Sequence, residues 1–337
     1  MKKNNKKILW IAAALIFIVA AVVISVVYMN NAPYLEMNKK TEEYNVEQVD
    51  LSVKGDRIYF LNTGGADAIL IESEGKFALV DAAEDSDNPR GFEELVYEGT
   101  EQYVVDTVKK IAGDKNGKVT LEFVLGTHSH SDHIGGMDTL ILDKDVTVKA
   151  AYLKKYDENR INPYEIEHWD NKEVYEQMIS ACEERDVRLV QQMNEDKFYF
   201  GNFTMQFCNV YDPENDEPVG ENDNAIGLLI EKDGMRAFLS ADIDNKTGDE
   251  DRIAKQIGKI NLLKVGHHGY DESSTENFIN TLHPEIAVVT NNERWISKNP
   301  LNNLNNVGAY VFETGKYNGV VADFNSDEIV IFGNIDA

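Results

Sequence analysis

The sequence predicts a mixed α/β protein, of the α+β type, in which two β-sheets pack face to face and helices cover both outer faces. Short apolar runs typical of strands recur through both halves of the chain, among them RIYFL, KFALVD, MRAFLSAD and EIAVVT. Segments with helical periodicity, such as TEQYVVDTVKKIAG and GDEDRIAKQIG, separate these runs. Because sheets and helices bury their apolar faces against another layer, two successive β-rich halves with intervening helices favour a layered αββα sandwich.

The first 30 residues differ in composition from the rest of the chain. MKKNNKK carries four lysines, and the 22 residues from Ile8 to Met29 that follow contain no charged side chain. A helix of that length spans about 30 Å of hydrocarbon, and the positive-inside rule places the lysines in the cytoplasm. We therefore expect residues 1–30 to be a transmembrane anchor, with the rest of the chain outside the cytoplasm at the cell membrane. The alternative, a cleaved signal peptide, has an apolar core of about 7 to 15 residues.

The remaining sequence divides into a linker and one domain. Residues 31–50 are polar and without clear periodicity, which indicates a stalk. Residues 51–337 contain no tandem repeat or low-complexity block, so we expect one domain of catalytic size.

The part of the chain beyond the anchor is strongly acidic. Residues 31–337 hold 29 of the 33 basic residues and all 59 acidic ones, a net charge of −30. Nucleic acid gains most of its affinity from Lys and Arg side chains that neutralise phosphates. Since no basic run is present, non-specific nucleic-acid binding is disfavoured.

The chain has two cysteines, Cys182 and Cys208, without CxxC spacing. Outside the cytoplasm they can form a disulfide, or they can remain two buried free thiols. The sequence leaves both open, as it does the oligomeric state.

Histidine is concentrated in GTHSHSDHIGG, where three of the chain's seven histidines and one aspartate lie within six residues. The segment follows KVTLEFVL, an apolar run typical of a strand. His128 and His130 can point the same way and bind one metal through imidazole nitrogens. Asp132 and His133 leave the turn in another direction and can bind a second metal, and two such metals can share a bridging hydroxide.

Two later strand ends supply further candidate ligands. FLSAD ends an apolar run at Asp242, and LLKVGHHGY ends one at His267 and His268. A shared carboxylate is a natural addition to a dinuclear site, and two consecutive histidines at a strand end are more typical of a site than of a core. The three clusters together therefore indicate one metal centre.

These motifs resemble those of the metallo-β-lactamase superfamily: HxHxDH, then a strand-end aspartate, then a strand-end histidine. ALVDAAED is similar to that family's first motif, with Asp81 as its buried structural acid. KVGHHG resembles the hydrolase domain of bacterial competence proteins. Over about 280 residues from Arg57 onward, DAILIES, YLKKYDENR, HWDN and FGNFTMQ resemble the catalytic domain of the esterases that remove phosphorylcholine from teichoic acids. The resemblance implies a four-layer αββα fold and a metal-dependent hydrolase.

The resemblance also implies roles for individual residues. The ligands would form two groups that share one bridging carboxylate: His128, His130 and Asp242 for one metal, and Asp132, His133, Asp242 and His267 for the other. Asp132 and His268 are expected to act in catalysis, with His268 beside the ligands or against the substrate's phosphate. The donor set suits two zinc ions, with manganese and iron as alternatives.

One superfamily ligand is missing from the sequence. Superfamily members usually carry a histidine between HxHxDH and the bridging aspartate, and here ENDNAIGLLI occupies that place. Asp223 and Asn224 are therefore expected to replace that ligand or to leave a position open to substrate. The phosphorylcholine esterases and the competence branch lack this histidine as well, whereas β-lactamases and thioester hydrolases generally have it.

A choline head group would require aromatic side chains, because a quaternary ammonium is held by cation–π attraction. The candidates in or near the matched segments are Trp169, Trp295, Tyr156 and Tyr270. Ordinary packing is the alternative for each of them, and it is favoured for the two tyrosines.

Taken together, the sequence predicts a membrane-anchored hydrolase outside the cytoplasm that acts on phosphorylcholine-type or other cell-envelope phosphodiesters. The wall-binding repeats of the choline-esterase family, rich in Trp and Gly, are absent, so the leaving group stays open. Two alternatives also remain: an extracellular nuclease of the competence-protein type, and a non-catalytic surface protein that uses the fold to bind a partner.

Overall fold

The computed structural model describes residues 31–86, 99–210 and 220–335. Its strands, numbered in chain order, are β1 Glu47–Gln48, β2 Arg57–Phe60, β3 Ile69–Ser73, β4 Lys76–Val80, β5 Val119–Leu125, β6 Val146–Val148, β7 Ala150–Tyr152, β8 Arg188–Val190, β9 Phe198–Phe200, β10 Phe203–Cys208, β11 Gly227–Lys232, β12 Met235–Leu239, β13 Leu262–Lys264, β14 Ile286–Val289, β15 Tyr310–Glu313, β16 Val320–Phe324 and β17 Ile329–Gly333.

The helices lie between these strands. They are α1 at 31–42, then α2 Glu101–Ala112, α3 Ser131–Ile134, α4 Met137–Leu142, α5 Pro163–His168, α6 Asn171–Glu184, α7 Glu221–Asn224, α8 Asp249–Ile257, α9 Glu276–Leu282, α10 Lys298–Val307 and α11 Thr314–Tyr317. Two 3-10 turns, Glu158–Arg160 and Gly266–Gly269, complete the regular structure of the described ranges.

Two sheets form the centre of the fold, as the sequence predicts. Within the described residues, the first sheet has the strand order β1-β17-β16-β2-β3-β4-β5-β7-β8, with β6 also paired to β5. The second has the order β15-β14-β13-β12-β11-β10-β9. Both sheets are mixed, because each combines antiparallel hairpins with a parallel set: β4, β5 and β7 in the first sheet and β12 to β15 in the second.

Both faces of the two sheets are buried, which explains why their strands read as continuous apolar runs. In β3, Ile69 and Ile71 belong to the cluster between the sheets, while Leu70 between them packs toward the helices. Alternation of this kind follows from the two-residue period of a strand.

Helices cover both outer faces. Residues of α2, α4 and α6 pack on the first sheet, and residues of α1, α8, α9 and α10 pack on the second. The four layers are therefore helix, sheet, sheet and helix.

The segment expected to be a stalk is folded onto the domain instead. Residues 31–42 form α1, whose Tyr34 and Met37 are 8% and 1% exposed and lie in the core cluster of the second sheet. The Tyr34 hydroxyl donates to Glu313 at 2.5 Å, and β1 pairs in parallel with β17. The stalk prediction was wrong because Tyr34, Met37 and Thr41 lie on one helix face that the domain buries, while Leu35 on another face is exposed.

The predicted anchor at residues 8–29 lies outside the described residues. Among the helices that the structure does describe, none combines the length and the apolar character needed to cross a bilayer.

Cys182 and Cys208 are both buried as free thiols. They lie in different clusters, one under the first sheet and one under the second.

Candidate metal centre

The predicted ligands follow the carboxyl ends of strands in both sheets. In the first sheet, the parallel strands β4 and β5 lead to Asp81 and to the histidine cluster. In the second, the parallel strands β12 and β13 lead to Asp242 and to the paired histidines. Since parallel strands end at the same edge of a sheet, the ligands of each sheet gather at one edge, and the two edges meet.

The first ligand group contains His128, His130 and Asp242. The Nε2 atom of His128 lies 3.0 Å from Nδ1 of His130. These side chains are buried, and one ligand atom from each of the three residues lies within 4.8 Å of the others. Two imidazole nitrogens and a carboxylate oxygen form a typical donor set for a divalent metal.

The second ligand group shares Asp242 with the first. His133 Nε2 lies 3.2 Å from Asp242 Oδ1, and His268 Nε2 lies 3.4 Å from Asp242 Oδ2. The two Nε2 atoms are 3.1 Å apart. Asp67 also places an oxygen within 4.8 Å of ligand atoms of these three residues, but its two oxygens already accept from Lys264 and Thr290. Asp132 approaches the group from the cavity, with Oδ2 3.3 Å from His268 Nε2.

Both the spacing and the chemistry fit a divalent ion. Tetrahedral bonds of about 2.0–2.1 Å separate neighbouring ligand atoms by about 3.3 Å, and the four contacts of the second group span 3.1 to 3.4 Å. Asp242 Oδ2 is buried without a hydrogen-bond partner among the described residues. A buried carboxylate oxygen in that state requires a positive partner, which a metal ion supplies.

Carboxylates behind the histidines hold the ligand rings. His133 Nδ1 lies 2.8 Å from Oδ2 of the fully buried Asp81. Asp81 itself accepts hydrogen bonds from the backbone N–H and the hydroxyl of Thr127, both at 2.8 Å. A proton held on Nδ1 in this way leaves His133 Nε2 free to bind metal.

A second carboxylate, Glu165 on α5, orients His130. Its Oε2 lies 3.3 Å from His130 Nε2, so that His130 presents Nδ1 to the ligand group. Glu165 also accepts from the side-chain amides of Asn162 at 2.7 Å and Asn171 at 3.1 Å. These bonds hold the carboxylate in place behind the ring.

The roles of the two adjacent histidines are exchanged relative to the sequence prediction. The sequence assigned His267 to the second ligand group and His268 to a position beside it, whereas the structure places His268 among the ligands. His267 lines the neighbouring cavity, with Nε2 3.8 Å from Asp242 Oδ2. Both residues have left-handed backbones, with φ of 48° and 50°, and this tight turn directs the second histidine, not the first, into the site.

Comparison with known proteins agrees with the fold. The sequence model of the beta-lactamase superfamily domain matches residues 102–290, more than half of the chain. The chain belongs to this superfamily. Among solved structures, the metallo-beta-lactamase fold protein YhfI from Bacillus subtilis matches with a TM-score of 0.51 at 13% identity, over 80% of this chain and 99% of YhfI. At that identity the likeness concerns the fold alone.

Relatives with similar sequences come from competence proteins. ComE operon protein 3 of Bacillus subtilis strain 168 is 28% identical over 170 residues, which is 50% of this chain and 20% of that protein. Recombination protein 2 of Haemophilus influenzae is 24% identical over 178 residues, 52% of this chain and 18% of that protein. The match therefore spans about a fifth of these relatives' own length.

A cavity of about 400 Å³ opens beside the candidate metal ligands. Trp169 lies in its wall, edge-on to His130 with ring centroids 4.8 Å apart, and Tyr270 lies 5.5 Å from the His267 ring. The remaining lining residues are mostly small, polar or acidic: Thr63, Gly65, Ala66, Glu84, Ser131, Asp132, Asp170, Asn171 and Asp242. Among the described residues, none of those lining the cavity is lysine or arginine.

The other predicted substrate residues lie elsewhere. Trp295 is 58% exposed and outside the lining of this cavity. Asp223 accepts from the Thr247 hydroxyl at 2.6 Å, and Asn224 and Tyr156 line a separate small hollow on the other side of His128. At the position of the missing superfamily histidine, Asp223 joins neither ligand group, and the Asn224 side-chain amide donates to Glu221 Oε1 at 3.2 Å.

Three residues near the ligands were not predicted: Glu165, Asp67 and Lys264. Lys264 had a detectable signal, because a single charged residue inside the apolar run INLLKVG must be paired if the strand is buried. Asp67 directly precedes a strand, where aspartate usually marks a turn, and Glu165 lies among other acidic residues of EIEHWDN. Neither pattern distinguishes a site residue from a surface residue.

The surroundings shift the pKa values of two candidate ligands, His128 and His133, in opposite directions. Burial, together with the neighbouring His133 and His130, lowers the pKa of His128 well below its usual value. Burial also lowers the pKa of His133, but Asp242, Asp81 and Asp132 outweigh it and raise that pKa to about 10. A metal that binds His133 Nε2 must therefore displace a proton when the pH is near neutral.

This competition predicts that metal stabilises the protein more as the pH rises. In the metal-free chain the pKa of His133 goes from 6.5 when unfolded to about 10 when folded, so its contribution to stability is complete below about pH 6.5 and is lost as the pH approaches 10. We expect the gap in melting temperature between metal-loaded and metal-free protein to widen across that range, measured by calorimetry. A gap that is constant or narrows would contradict this assignment.

Proposed function

We propose that the protein is a phosphodiesterase that uses two divalent metal ions, zinc first among the candidates. The observation that carries this proposal is the pair of ligand groups that share Asp242 at the edge of an open cavity. Manganese and iron suit the same nitrogen and oxygen donors.

The ligands divide the chemical tasks among themselves. Bound metal ions supply Lewis acidity and a nucleophile from water near neutral pH. Asp132 reaches from the ligands into the cavity, with 32% of its side chain exposed, so its free oxygen can accept a proton from an attacking water. His267 lines the same cavity and can donate a hydrogen bond from Nε2 to a phosphoryl oxygen. His133 is fully buried and can only bind metal, whereas Asp132 and His267 also face the cavity where substrate would lie.

The cavity wall favours a substrate with a cationic head group, phosphorylcholine-type phosphodiesters first. Trp169 and Tyr270 offer aromatic surfaces, and a quaternary ammonium gains about 0.5 to 2 kcal/mol from such a surface. The carboxyl groups of Glu84 and Asp170 lie in the same wall. Burial raises the pKa of both, that of Glu84 to about 9, so Glu84 is protonated near neutral pH and adds no negative charge there. Other cell-envelope phosphodiesters, which lack a cationic group, would bind at the metal centre without gaining this cation–π attraction.

Replacing Trp169 with alanine is expected to raise the KM for p-nitrophenyl phosphorylcholine by about 2- to 30-fold, the range that corresponds to the lost cation–π energy. The KM for bis-p-nitrophenyl phosphate should change little, because that ester has no cation. The matched control is Trp295→Ala, whose side chain is exposed and outside the cavity. If Trp169→Ala raised the KM of both esters equally, the proposed recognition of choline would be wrong.

A nuclease is the second candidate function, favoured by the sequence similarity to competence proteins. The lack of Lys and Arg among the described lining residues opposes it, since a polyanion requires basic contacts. Degradation of single-stranded DNA at physiological salt, faster than turnover of the choline ester, would establish the nuclease. Two bound metals with no turnover of either ester or DNA would favour a non-catalytic binding protein.

We also propose that the apolar segment at residues 8–29 anchors the protein in the cell membrane, with the catalytic domain outside the cytoplasm. The four lysines before that segment and the immediate start of the folded domain at α1 support this arrangement. Protease added to intact cells should digest the domain; complete protection in intact cells with digestion after lysis would contradict it.

A further inference from the structure

A fully buried lysine lies directly behind the shared carboxylate. Lys264 ends β13 and is 0% exposed. Its Nζ donates to Asp67 Oδ2 at 2.6 Å and to the carbonyl oxygen of Ala241 at 3.0 Å. The same Nζ lies 3.5 Å from Asp242 Oδ1, so the ammonium contacts the residue that both ligand groups share.

Asp67, the partner of this lysine, reaches the second ligand group from the other side. Its Oδ1 accepts from the Thr290 hydroxyl at 2.6 Å and lies 3.3 Å from His268 Nδ1. Thr290 Oγ1 is also 3.2 Å from the same Nδ1. Because Nδ1 is held by these oxygens, His268 presents Nε2 to the ligand group.

The pair also connects the two sheets. The backbone N–H of Asp67 donates to the carbonyl oxygen of Asp132 at 3.0 Å. Asp67 precedes β3 of the first sheet, whereas Lys264 ends β13 and Thr290 follows β14 of the second. A displacement of Asp67 would therefore move Asp132 and His268 together.

Stability alone does not account for this pair. Removing both charges from a buried ion pair and filling the space with neutral groups is often neutral or stabilising, by about 1 to 4 kcal/mol. The contacts of Lys264 and Asp67 are instead directed at two metal-ligating residues. Carboxylates that hold ligand histidines in this way change metal affinity by about 10- to 100-fold when they are removed.

We infer that Lys264 and Asp67 are positioning residues for the second metal. Lys264 holds Asp242, and Asp67 with Thr290 orients His268, so that the group formed by Asp132, His133, Asp242 and His268 is in place before metal binds. In the first group Lys264 contacts the shared Asp242, whereas His130 is held by Glu165. Among the described residues, no hydrogen bond or ion pair joins His128 or His130 to Lys264 or Asp67, so the loss of the pair should affect the second group more. This inference rests on the two-metal centre of the proposed function, but not on its substrate.

The test is the affinity of each metal for the full-length double variant Asp67→Asn/Lys264→Met, which removes both charges at nearly constant volume. Zinc affinity is measured by competition with a chromophoric chelator, and folding by circular dichroism. We expect one equivalent to bind about 10- to 100-fold more weakly than in wild type, and the other within about twofold of wild type. Both affinities unchanged, or both weakened equally, would overturn the inference.

A matched control is available in another buried pair. Arg57 and Asp323 form an ion pair at 2.7 Å at the opposite end of the first sheet, with side chains 5% and 12% exposed. Asp323→Asn/Arg57→Met should leave both zinc affinities at the wild-type values. If this control also weakens one zinc equivalent, the effect belongs to general loss of packing and the inference fails.

A second variant decides the matter if the double variant does not fold. Thr290→Val keeps the side-chain shape and removes the hydroxyl that bonds to Asp67 and His268. Weaker binding of one equivalent supports the inference and unchanged binding overturns it. Because these readouts concern metal affinity, an absence of phosphodiester turnover in wild type would refute the proposed function while leaving this result intact.

Discussion

Replacing Asp242 with asparagine is expected to abolish phosphodiester turnover and to weaken both metals at once. Asp242 is the one residue common to the two ligand groups, and its two oxygens face different histidines, His133 through Oδ1 and His268 through Oδ2. We expect kcat to fall at least a thousandfold, which corresponds to about 4 kcal/mol of transition-state stabilisation. No other single ligand variant should lower the affinity of both metals.

Metal equivalents and turnover should be measured on the same Asp242→Asn sample. The control is Asp233→Asn, in the turn that precedes β12. Asp233 is exposed, with φ of 50°, before Gly234, and asparagine suits that turn equally well. If Asp242→Asn retained two tightly bound metals, Asp242 would not be the shared ligand.

The second large effect separates the two adjacent histidines. His268→Ala should lose one metal equivalent and lower kcat by about a hundredfold or more, since His268 Nε2 contacts Asp132, His133 and Asp242 within 3.1–3.4 Å. His267→Ala should retain two equivalents and raise the KM instead, because its side chain lines the cavity.

These two variants serve as controls for each other, because both remove an imidazole from the same turn. Metal content after dialysis, with KM and kcat on the same protein, provides the comparison. The reverse outcome, with metal lost from His267→Ala and retained in His268→Ala, would restore the assignment that the sequence pattern suggests.

The layered fold was predictable from sequence because the strands are buried on both faces and therefore appear as uninterrupted apolar runs. The ligand cluster was predictable because His128, His130, Asp132 and His133 are close in sequence and follow a strand. Asp242 was predictable from its place at the end of another strand, once a metal centre was expected.

What sequence could not predict depends on backbone conformation and on contacts between distant segments. His267 and His268 differ only in which one a left-handed turn directs inward, and the local sequence does not determine that. The helix at 31–42 has few apolar side chains, and only the burial of Tyr34 and Met37 by the domain shows its role. Trp295 has an aromatic ring that could bind a cation, but it lies outside the cavity.

Part of the chain's negative charge lies in the cavity beside the metal centre. A net charge of −30 over residues 31–337 disfavours polyanions in general. The described cavity lining has the same bias, because it contains Asp132 and Asp170 and no lysine or arginine. The same acidic wall that opposes a long polyanion is compatible with a small phosphodiester bearing a cationic group.

The most direct test of the two-metal centre is the number of zinc ions per wild-type chain. The full-length protein would be saturated with Zn²⁺, passed through gel filtration, and assayed by plasma mass spectrometry against protein concentration. Two ligand groups that share Asp242 predict two equivalents per chain. One equivalent or none, in a protein that circular dichroism shows to be folded, would contradict the centre described here.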